Sequence, residues 1–253
     1  MKTSLARRSL LLGTLGTLVA GEASAFGESG SFSARLLVAG KAQQLQQRVS
    51  GLSRWAFELV QRTSAPGKLV PSSVEADRPA LLAEPFAVWA GDTDVGSLSS
   101  TQIRGLERFL RLGGVMVVDD GAPENGAFSR SVRRELGRVL PATPPVRLDP
   151  GHVVYRTFYL LDRPVGRVLG PPHLEAIVRG RNAQVFFLQH DLLGALARGD
   201  EGWAYEVAPG GPEQRERAVR LAVNIAMYVL CSDYKDDQVH ASWLMRRRGQ
   251  VRP

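Results

Sequence analysis

Two hydrophobic patterns alternate along the chain and predict strands that alternate with helices. Short, nearly continuous apolar runs indicate buried strands, whereas apolar residues three and four positions apart indicate amphipathic helices. The predicted strands cover residues 32–39, 69–70, 81–89, 115–118, 152–161, 175–179 and 184–191. The predicted helices cover residues 45–59, 99–110, 129–140, 192–196 and 212–230. This order predicts an α/β fold with a mostly parallel sheet flanked by helices.

Local signals support several of these elements. Ser99 followed by Gln102 has the spacing of a capping box and predicts the start of the second helix. Residues 115–118 are all apolar, which indicates a strand buried on both faces, as in a parallel sheet. Ser129 and Asp191 each precede a helical pattern and are predicted to cap it.

The first residues have the three parts of an export signal. Arg7 and Arg8 lie in a basic start, residues 10–20 are largely apolar, and residues 23–25 fit an A-x-A cleavage site. The apolar run is shorter than the roughly 20 residues that span a bilayer. The adjacent arginines resemble a twin-arginine signal; an ordinary secretory signal or an uncleaved anchor is the alternative. The sequence therefore predicts a signal over residues 1–25 and a periplasmic or envelope location.

The remaining length suits one α/β domain over residues 26–236, followed by a basic tail over residues 237–253. The net charge of +7 is modest and partly terminal, which argues against nucleic acid as a partner of an exported protein. Cys231 is the only cysteine, so no internal disulfide forms. Its place at the end of an apolar helix predicts a buried side chain, with a catalytic thiol as the alternative.

Polar residues follow two predicted strands where ligands bind in open α/β sheets, outside the carboxyl ends of the strands. If the two strands are neighbours, these residues share one edge, which we call the strand-end rim. It comprises Asp119, Asp120, Gln189, His190 and Asp191. Such a set could hold a divalent cation or pair an acid with a base for hydrolysis. The alternative is structural, because Asp beside Gly is ordinary turn chemistry and Asp before a helix is an ordinary cap.

Other chemical signals are weaker. His152 begins a predicted strand after a turn and is a further candidate for the rim. The histidines lack the i, i+4 spacing of a helical zinc pair. The chain has no G-x-S-x-G elbow, no G-x-x-x-x-G-K-[ST] loop and no G-x-G-x-x-G fingerprint, and we expect no organic cofactor.

The predicted tail combines apolar residues 243–245 with the basic residues Arg246, Arg247, Arg248 and Arg252. An apolar anchor beside basic side chains could contact an anionic membrane surface, where each charge contributes about 1 kcal/mol. The alternative is a solvated tail that contacts nothing.

Several segments together resemble the bacterial family called domain of unknown function 4159. They are "FSARLLVAG", "LLAEPFAVWAG", "LERFLRLGGVMVVDDG", "LDPGHVVYRTFYLL", "FFLQHDLLGALA" and "RLAVNIAMYVLCSDYKDD". The resemblance implies a three-layer, flavodoxin-like sandwich similar to class I glutamine amidotransferases, in a family frequent among envelope proteins. The turn "VVDDG" lacks the cysteine that active amidotransferases carry there. The family's "DHP" appears as Asp149-Pro150-Gly151-His152 and its "ND" as His190-Asp191, which weakens any metal or catalytic site.

These observations favour an exported, non-enzymatic binding or interaction module whose partner is another envelope protein or a small ligand. One alternative is a metal-assisted hydrolase that uses the strand-end rim. The other is a peripheral membrane or scaffold protein held by the basic tail. Fold analogy alone supplies no activity, and the sequence does not indicate an oligomeric state.

Overall fold

The computed structural model describes the backbone of residues 31–249 and the side chains of residues 31–232. The predicted export signal over residues 1–25 lies outside the described residues. The side chains of Arg246, Arg247, Arg248 and Arg252 in the predicted tail also lie outside them.

One seven-stranded sheet is the centre of the domain. Its strand order is β2-β1-β3-β4-β7-β6-β5, and the first five strands in this order run parallel, while β6 runs antiparallel to β7 and to β5. The strands are β1 (Arg35–Val38), β2 (Ser72–Glu75), β3 (Phe86–Gly91), β4 (Val115–Asp120), β5 (Val146–Arg147), β6 (Glu175–Arg179) and β7 (Asn182–Leu188). The mostly parallel sheet predicted from the sequence is confirmed. A small antiparallel pair, β8 (Arg198–Gly199) with β9 (Gly202–Trp203), stands apart from it.

Helices cover both faces of the sheet because its central strands are apolar on both sides. Every residue of β3 and β4 is buried. The helices are α1 (Ser50–Arg62), α2 (Ser100–Arg111), α3 (Ala127–Val139), α4 (Leu192–Leu196) and α5 (Gly211–Gly249). Buried residues of α1, α4 and α5 form one core cluster, and those of α2 and α3 form a second. In the described part of the chain, no helix is apolar over a length that would cross a membrane.

Several helix starts follow from local chemistry. The predicted capping box is present, since the Ser99 side chain accepts from the Gln102 N–H and the Gln102 side chain accepts from the Ser99 N–H. The predicted cap by Ser129 is wrong. Helix α3 begins two residues earlier, at Ala127, after Gly126 at a φ of 60°. A left-handed backbone favours glycine there, and Ser129 lies buried inside the helix.

The predicted strand over residues 152–161 is also wrong. Val153–Tyr155 forms a 3-10 helix, and an irregular loop follows it. The buried side chain of Asn224 on α5 holds this loop: Oδ1 accepts from the Phe158 and Tyr159 N–H groups at 3.3 and 2.7 Å, and Nδ2 donates to the Val154 and Tyr159 carbonyls at 2.9 Å each. These bonds satisfy backbone groups that a strand would have paired with a neighbour.

Three further expectations need correction. The second strand begins at Ser72 rather than at residues 69–70, and the third begins at Phe86, after Pro85. Cys231 is exposed, whereas the sequence predicted a buried side chain. The short strands β5, β8 and β9 gave no recognisable pattern, because each has only two residues.

Candidate functional site at the strand ends

The strand-end rim begins with the pairing of β4 and β7. These strands are parallel neighbours, and Asp119 is opposite Leu188 in their register. The end of β4 therefore lies beside residues 189–191, as the sequence reasoning required. Both Asp119 and Asp191 are buried, with relative exposures of 1% and 0%.

Asp119 closes the first turn of α4. Its Oδ1 accepts from the Leu192 N–H and its Oδ2 from the Leu193 N–H, each at 2.8 Å. Helix N-termini expose N–H groups without partners inside the helix, and a carboxylate satisfies them while it complements the helix dipole. Both oxygens of Asp119 therefore serve the fold.

Asp191 is the predicted N-cap of α4, and its Oδ1 accepts from the Gly194 N–H at 3.0 Å. Its backbone has a φ of 52°, in the left-handed region that Asp tolerates better than most residues. Arg48 contributes Nε to Oδ1 at 2.8 Å and Nη2 to Oδ2 at 2.9 Å, and Arg167 contributes Nε to Oδ2. Two guanidinium groups thus neutralise one buried carboxylate.

Arg48 and Arg167 are the site residues that the sequence reasoning missed. Arg48 lies in the 3-10 turn before α1, and its Nη2 also donates to the Gly121 carbonyl at 3.0 Å. Arg167 lies in the loop after Val165. Arg48 lies within the predicted helix over residues 45–59 and Arg167 in a loop, and an arginine at such positions has no distinctive pattern, so the sequence does not identify these two. Together with Asp191 they join three segments that are distant along the chain.

The surroundings of Asp119 perturb its titration. Burial, together with the negative charge of Asp191, raises the pKa of Asp119 to about 7. The hydrogen bond with Asp191 raises the pKa of Arg48. Asp119 therefore binds a proton near neutral pH, while Asp191 has the two guanidinium groups as counter-charges.

Asp120 and His190 lie at the same strand ends but do not join this pair. Asp120 Oδ1 accepts from the Ala122 N–H at 3.0 Å, and Oδ2 from the Ser129 N–H at 3.2 Å. His190 is buried; its Nε2 lies 2.9 Å from the Pro171 carbonyl, while Nδ1 has no hydrogen-bond partner among the described residues. Burial lowers the pKa of His190 to about 4. The imidazole is therefore neutral and is not hydrogen-bonded to Asp119 or Asp191.

The other two predicted rim residues also have local roles. His152 caps the 3-10 helix Val153–Tyr155 by accepting from the Val154 N–H at 3.2 Å, and its ring packs 5.9 Å from that of Tyr228 on α5. Gln189 is half-buried, and its backbone carbonyl lies against Gly170. The rim thus unites Asp119 with Asp191 but does not assemble all six predicted residues around one point.

The chemistry available at this edge is mainly structural. Among the described side chains, no group of three or more His, Cys, Asp and Glu residues has the arrangement of a metal site. Each oxygen of Asp119 and Asp191 already accepts from an N–H group of the protein. We call these two carboxylates, with Arg48 and Arg167, the carboxylate network.

Comparison with known proteins identifies a family for this chain but no curated relative. No curated protein matches the chain. The sequence model of a family described as Domain of unknown function (DUF4159) matches residues 34–230, from the start of the sheet through the part of α5 that packs on the core. The match covers most of the chain, and the protein belongs to this family.

Proposed function

We propose that the protein is an exported, non-enzymatic binding or interaction module of the bacterial envelope. The observation that carries this proposal is that both carboxylates of the network are buried and that each of their oxygens already accepts from a donor of the protein. A general base or a metal ligand needs a lone pair that a substrate or ion can reach. The oxygens of Asp119 and Asp191 are buried and engaged by the protein's own donors.

The scaffold supports the same conclusion. The parallel strands follow the order β2-β1-β3-β4-β7, which corresponds to the doubly wound order of flavodoxin-like proteins. We propose that the domain is a three-layer sandwich of that type, similar to the class I glutamine amidotransferases. The turn after β4 has Asp120 and Gly121 where such enzymes carry a cysteine nucleophile. A scaffold without its nucleophile is suited to binding rather than to acyl transfer.

The proposed location and partners rest on the sequence at the two ends of the chain. The basic, apolar and small-residue parts of residues 1–25 favour export to the periplasm or envelope, in which case the partner is another envelope protein or a small ligand. A supporting role for the tail is contact with an anionic membrane surface through Arg246–Arg248 and Arg252.

One experiment tests the absence of catalysis. Purified protein is assayed against amidase, esterase and phosphatase substrates, with and without divalent cations, beside Asp119→Asn. The proposal expects no turnover above background from either protein. Turnover by the wild type that Asp119→Asn abolishes, while the variant keeps its folded circular dichroism spectrum, would establish the metal-assisted or acid-base hydrolase instead.

A second experiment tests location. The full chain, a variant with Arg7 and Arg8 both changed to Lys, and a chain that lacks residues 240–253 are expressed in a bacterial host and fractionated. Export predicts periplasmic or envelope material for the wild type, and loss of export for the Lys variant indicates the twin-arginine route. Unchanged fractionation after removal of residues 240–253 would dispose of membrane attachment through the tail.

A further inference from the structure

A cleft of about 500 Å³ lies between α1 and the first turns of α5, away from the carboxylate network. Arg54, Glu58 and Arg62 line it from successive turns of α1, and Trp203 of β9 also lines it. Its volume falls within the range of small-molecule sites in proteins, about 300–1,000 Å³. What such a cleft would bind depends on which of its charges remain without a partner.

The acidic side chains on the two helices are already paired. Glu58 is buried and binds both Arg54 and Arg62. Glu216 receives two hydrogen bonds of 2.7 Å from Arg62 and one of 2.9 Å from Arg220. Each carboxylate is therefore shared by two guanidinium groups, and neither is available to attract a cation.

The basic side chains are only partly paired. Arg215 is 9% exposed; it donates to the Ala195 and Tyr205 carbonyls and makes no ion pair with any described carboxylate. Its pKa is lowered, first by burial and then by the charge of Arg198. The Nε of Arg54 is buried and has no hydrogen-bond partner among the described residues. Within the described part of the chain, Arg215 thus has a positive charge without a paired carboxylate, and one donor of Arg54 has no acceptor.

Trp203 gathers three of these cations. The guanidinium carbons of Arg54, Arg198 and Arg215 lie 5.2, 4.6 and 4.4 Å from the ring centroid of the Trp203 indole. An aromatic face attracts cations, which allows like charges to lie closer together than they otherwise would. The indole therefore brings three guanidinium groups together as a basic cluster, and two of them, Arg54 and Arg215, line the cleft.

The rest of the wall is largely apolar. Val207, Pro212 and Val219 line the cleft beside the basic cluster. Glu206 is an exposed acidic side chain on the same wall, and it makes no ion pair within the described structure. A suitable ligand would place an anionic group near Arg54 and Arg215 and an apolar body against the aliphatic wall, with Glu206 opposing it weakly from the solvent side.

We propose that this cleft binds a small organic carboxylate with an apolar body. The inference rests on the proposed binding function and deepens it, since it gives the module a site and a ligand class. Guanidinium groups recognise carboxylates through charge-assisted, frequently bidentate hydrogen bonds. The apolar wall supplies the remaining contact and makes the site selective against inorganic anions.

Three matched ligands test the proposal: 4-phenylbutyrate, 4-phenylbutanol and 4-phenylbutylamine. Each is titrated into the purified full chain by calorimetry, and the Trp203 indole signal is followed by NMR after assignment with Trp203→Phe. We expect the carboxylate to bind about tenfold more tightly than the alcohol, to bind more tightly than the amine and to shift the Trp203 signal. Equal binding of acid and alcohol, a Trp203 signal that does not move, or no binding of the acid would overturn the proposal.

Variants locate the charge. Arg54→Gln should weaken binding of 4-phenylbutyrate about fivefold and leave binding of 4-phenylbutanol unchanged, whereas Glu206→Gln should strengthen binding of the acid about twofold. Arg104→Gln, an exposed arginine on α2 at the opposite face of the sheet, is the matched control and should change neither. If Arg54→Gln behaves like Arg104→Gln, the assignment is wrong.

The two proposals fail in different ways. Turnover that depends on Asp119 would overturn the non-enzymatic function and leave the carboxylate site intact. Failure of 4-phenylbutyrate to bind, with no turnover of any substrate, would overturn the site and leave a module whose partner is a macromolecule.

Discussion

The carboxylate network and the α1–α5 cleft both contain several charged residues, but their pairing is opposite. In the network, two buried carboxylates have every oxygen engaged by backbone N–H groups or by Arg48 and Arg167. In the cleft, the carboxylates of the two helices are paired with arginines, whereas the basic cluster around Trp203 includes a donor without an acceptor among the described residues, Arg54 Nε. The comparison teaches that residue type alone does not identify a binding surface. A binding surface is identified by the charged groups that have no partner within the folded protein.

The largest effect should come from removing the centre of the network. Asp191→Ala deletes the cap of α4 and leaves Arg48 and Arg167 without their carboxylate, which should cost about 3–5 kcal/mol of unfolding free energy in urea denaturation. The control is Asp94→Ala, because Asp94 is exposed and pairs with Arg134 at 3.3 Å; its loss should change the unfolding free energy far less than the loss of Asp191. Equal losses for the two variants would contradict the structural role of the network.

The next effect is a change in pH dependence at Asp119. The native carboxyl titrates at about 7, above the value of an unfolded chain, so its contribution is fully present below about pH 4 and is lost as the pH rises through 7. Asp119→Asn removes this contribution, which in wild type offsets the loss of stability caused by protonation of His190. The unfolding free energy of the variant should therefore fall by about 2–3 kcal/mol when the pH is lowered from 6.5 to 4.5. Urea midpoints at four pH values measure it. A variant whose stability rises on acidification would refute the assignment.

A smaller, opposite effect is expected at His190. Its native pKa of about 4 lies below that of an unfolded histidine, so its contribution is present above about pH 6.5 and is lost as the pH falls through 4. His190→Gln can still donate to the Pro171 carbonyl but does not titrate. Relative to wild type, the unfolding free energy of the variant should therefore rise by about 2 kcal/mol when the pH is lowered from 7.5 to 4.5. If the variant and wild type differ in unfolding free energy by the same amount at both pH values, the pKa of His190 is not lowered in the folded protein.

The smallest effect should come from the ion pairs of the cleft. Glu216 is 37% exposed, and its bonds with Arg62 and Arg220 lie near solvent. Glu216→Gln should cost less than about 1 kcal/mol, and 0.5 M salt should reduce the cost further. A cost as large as that of Asp191→Ala would remove the distinction between the two regions.

The sequence predicted the sheet well where burial is carried by short apolar runs. The strand at residues 115–118 and the strand Glu175–Arg179 lie where the pattern indicated, and the capping box at Ser99 marks the start of α2. The sequence prediction failed at residues 152–161. This segment has the composition of a strand, but Asn224 of α5, which is distant along the chain, holds it in a loop. A single buried amide with four backbone partners overrides local propensity, and no local pattern reveals it.

The candidate site was predictable in part. The proximity of Asp119 and Asp191 follows from parallel strand ends, because neighbouring strands deliver their following residues to one edge. The pairing state was not predictable, since Arg48 is 143 residues from Asp191 along the chain. The cleft was not predictable either, because nothing in the sequence distinguishes Arg54 from other polar residues of α1, and Trp203 belongs to a strand of two residues.

The two borders of the main sheet limit how this protein can assemble with others. On one side the last strand, β5, has two residues, and on the other β2 carries exposed serine and glutamate at three of its four positions. Such brief or polar borders offer a poor template for a strand from another chain. We therefore expect a partner to contact side chains of the helical layers and their connecting loops rather than to add a strand to the sheet.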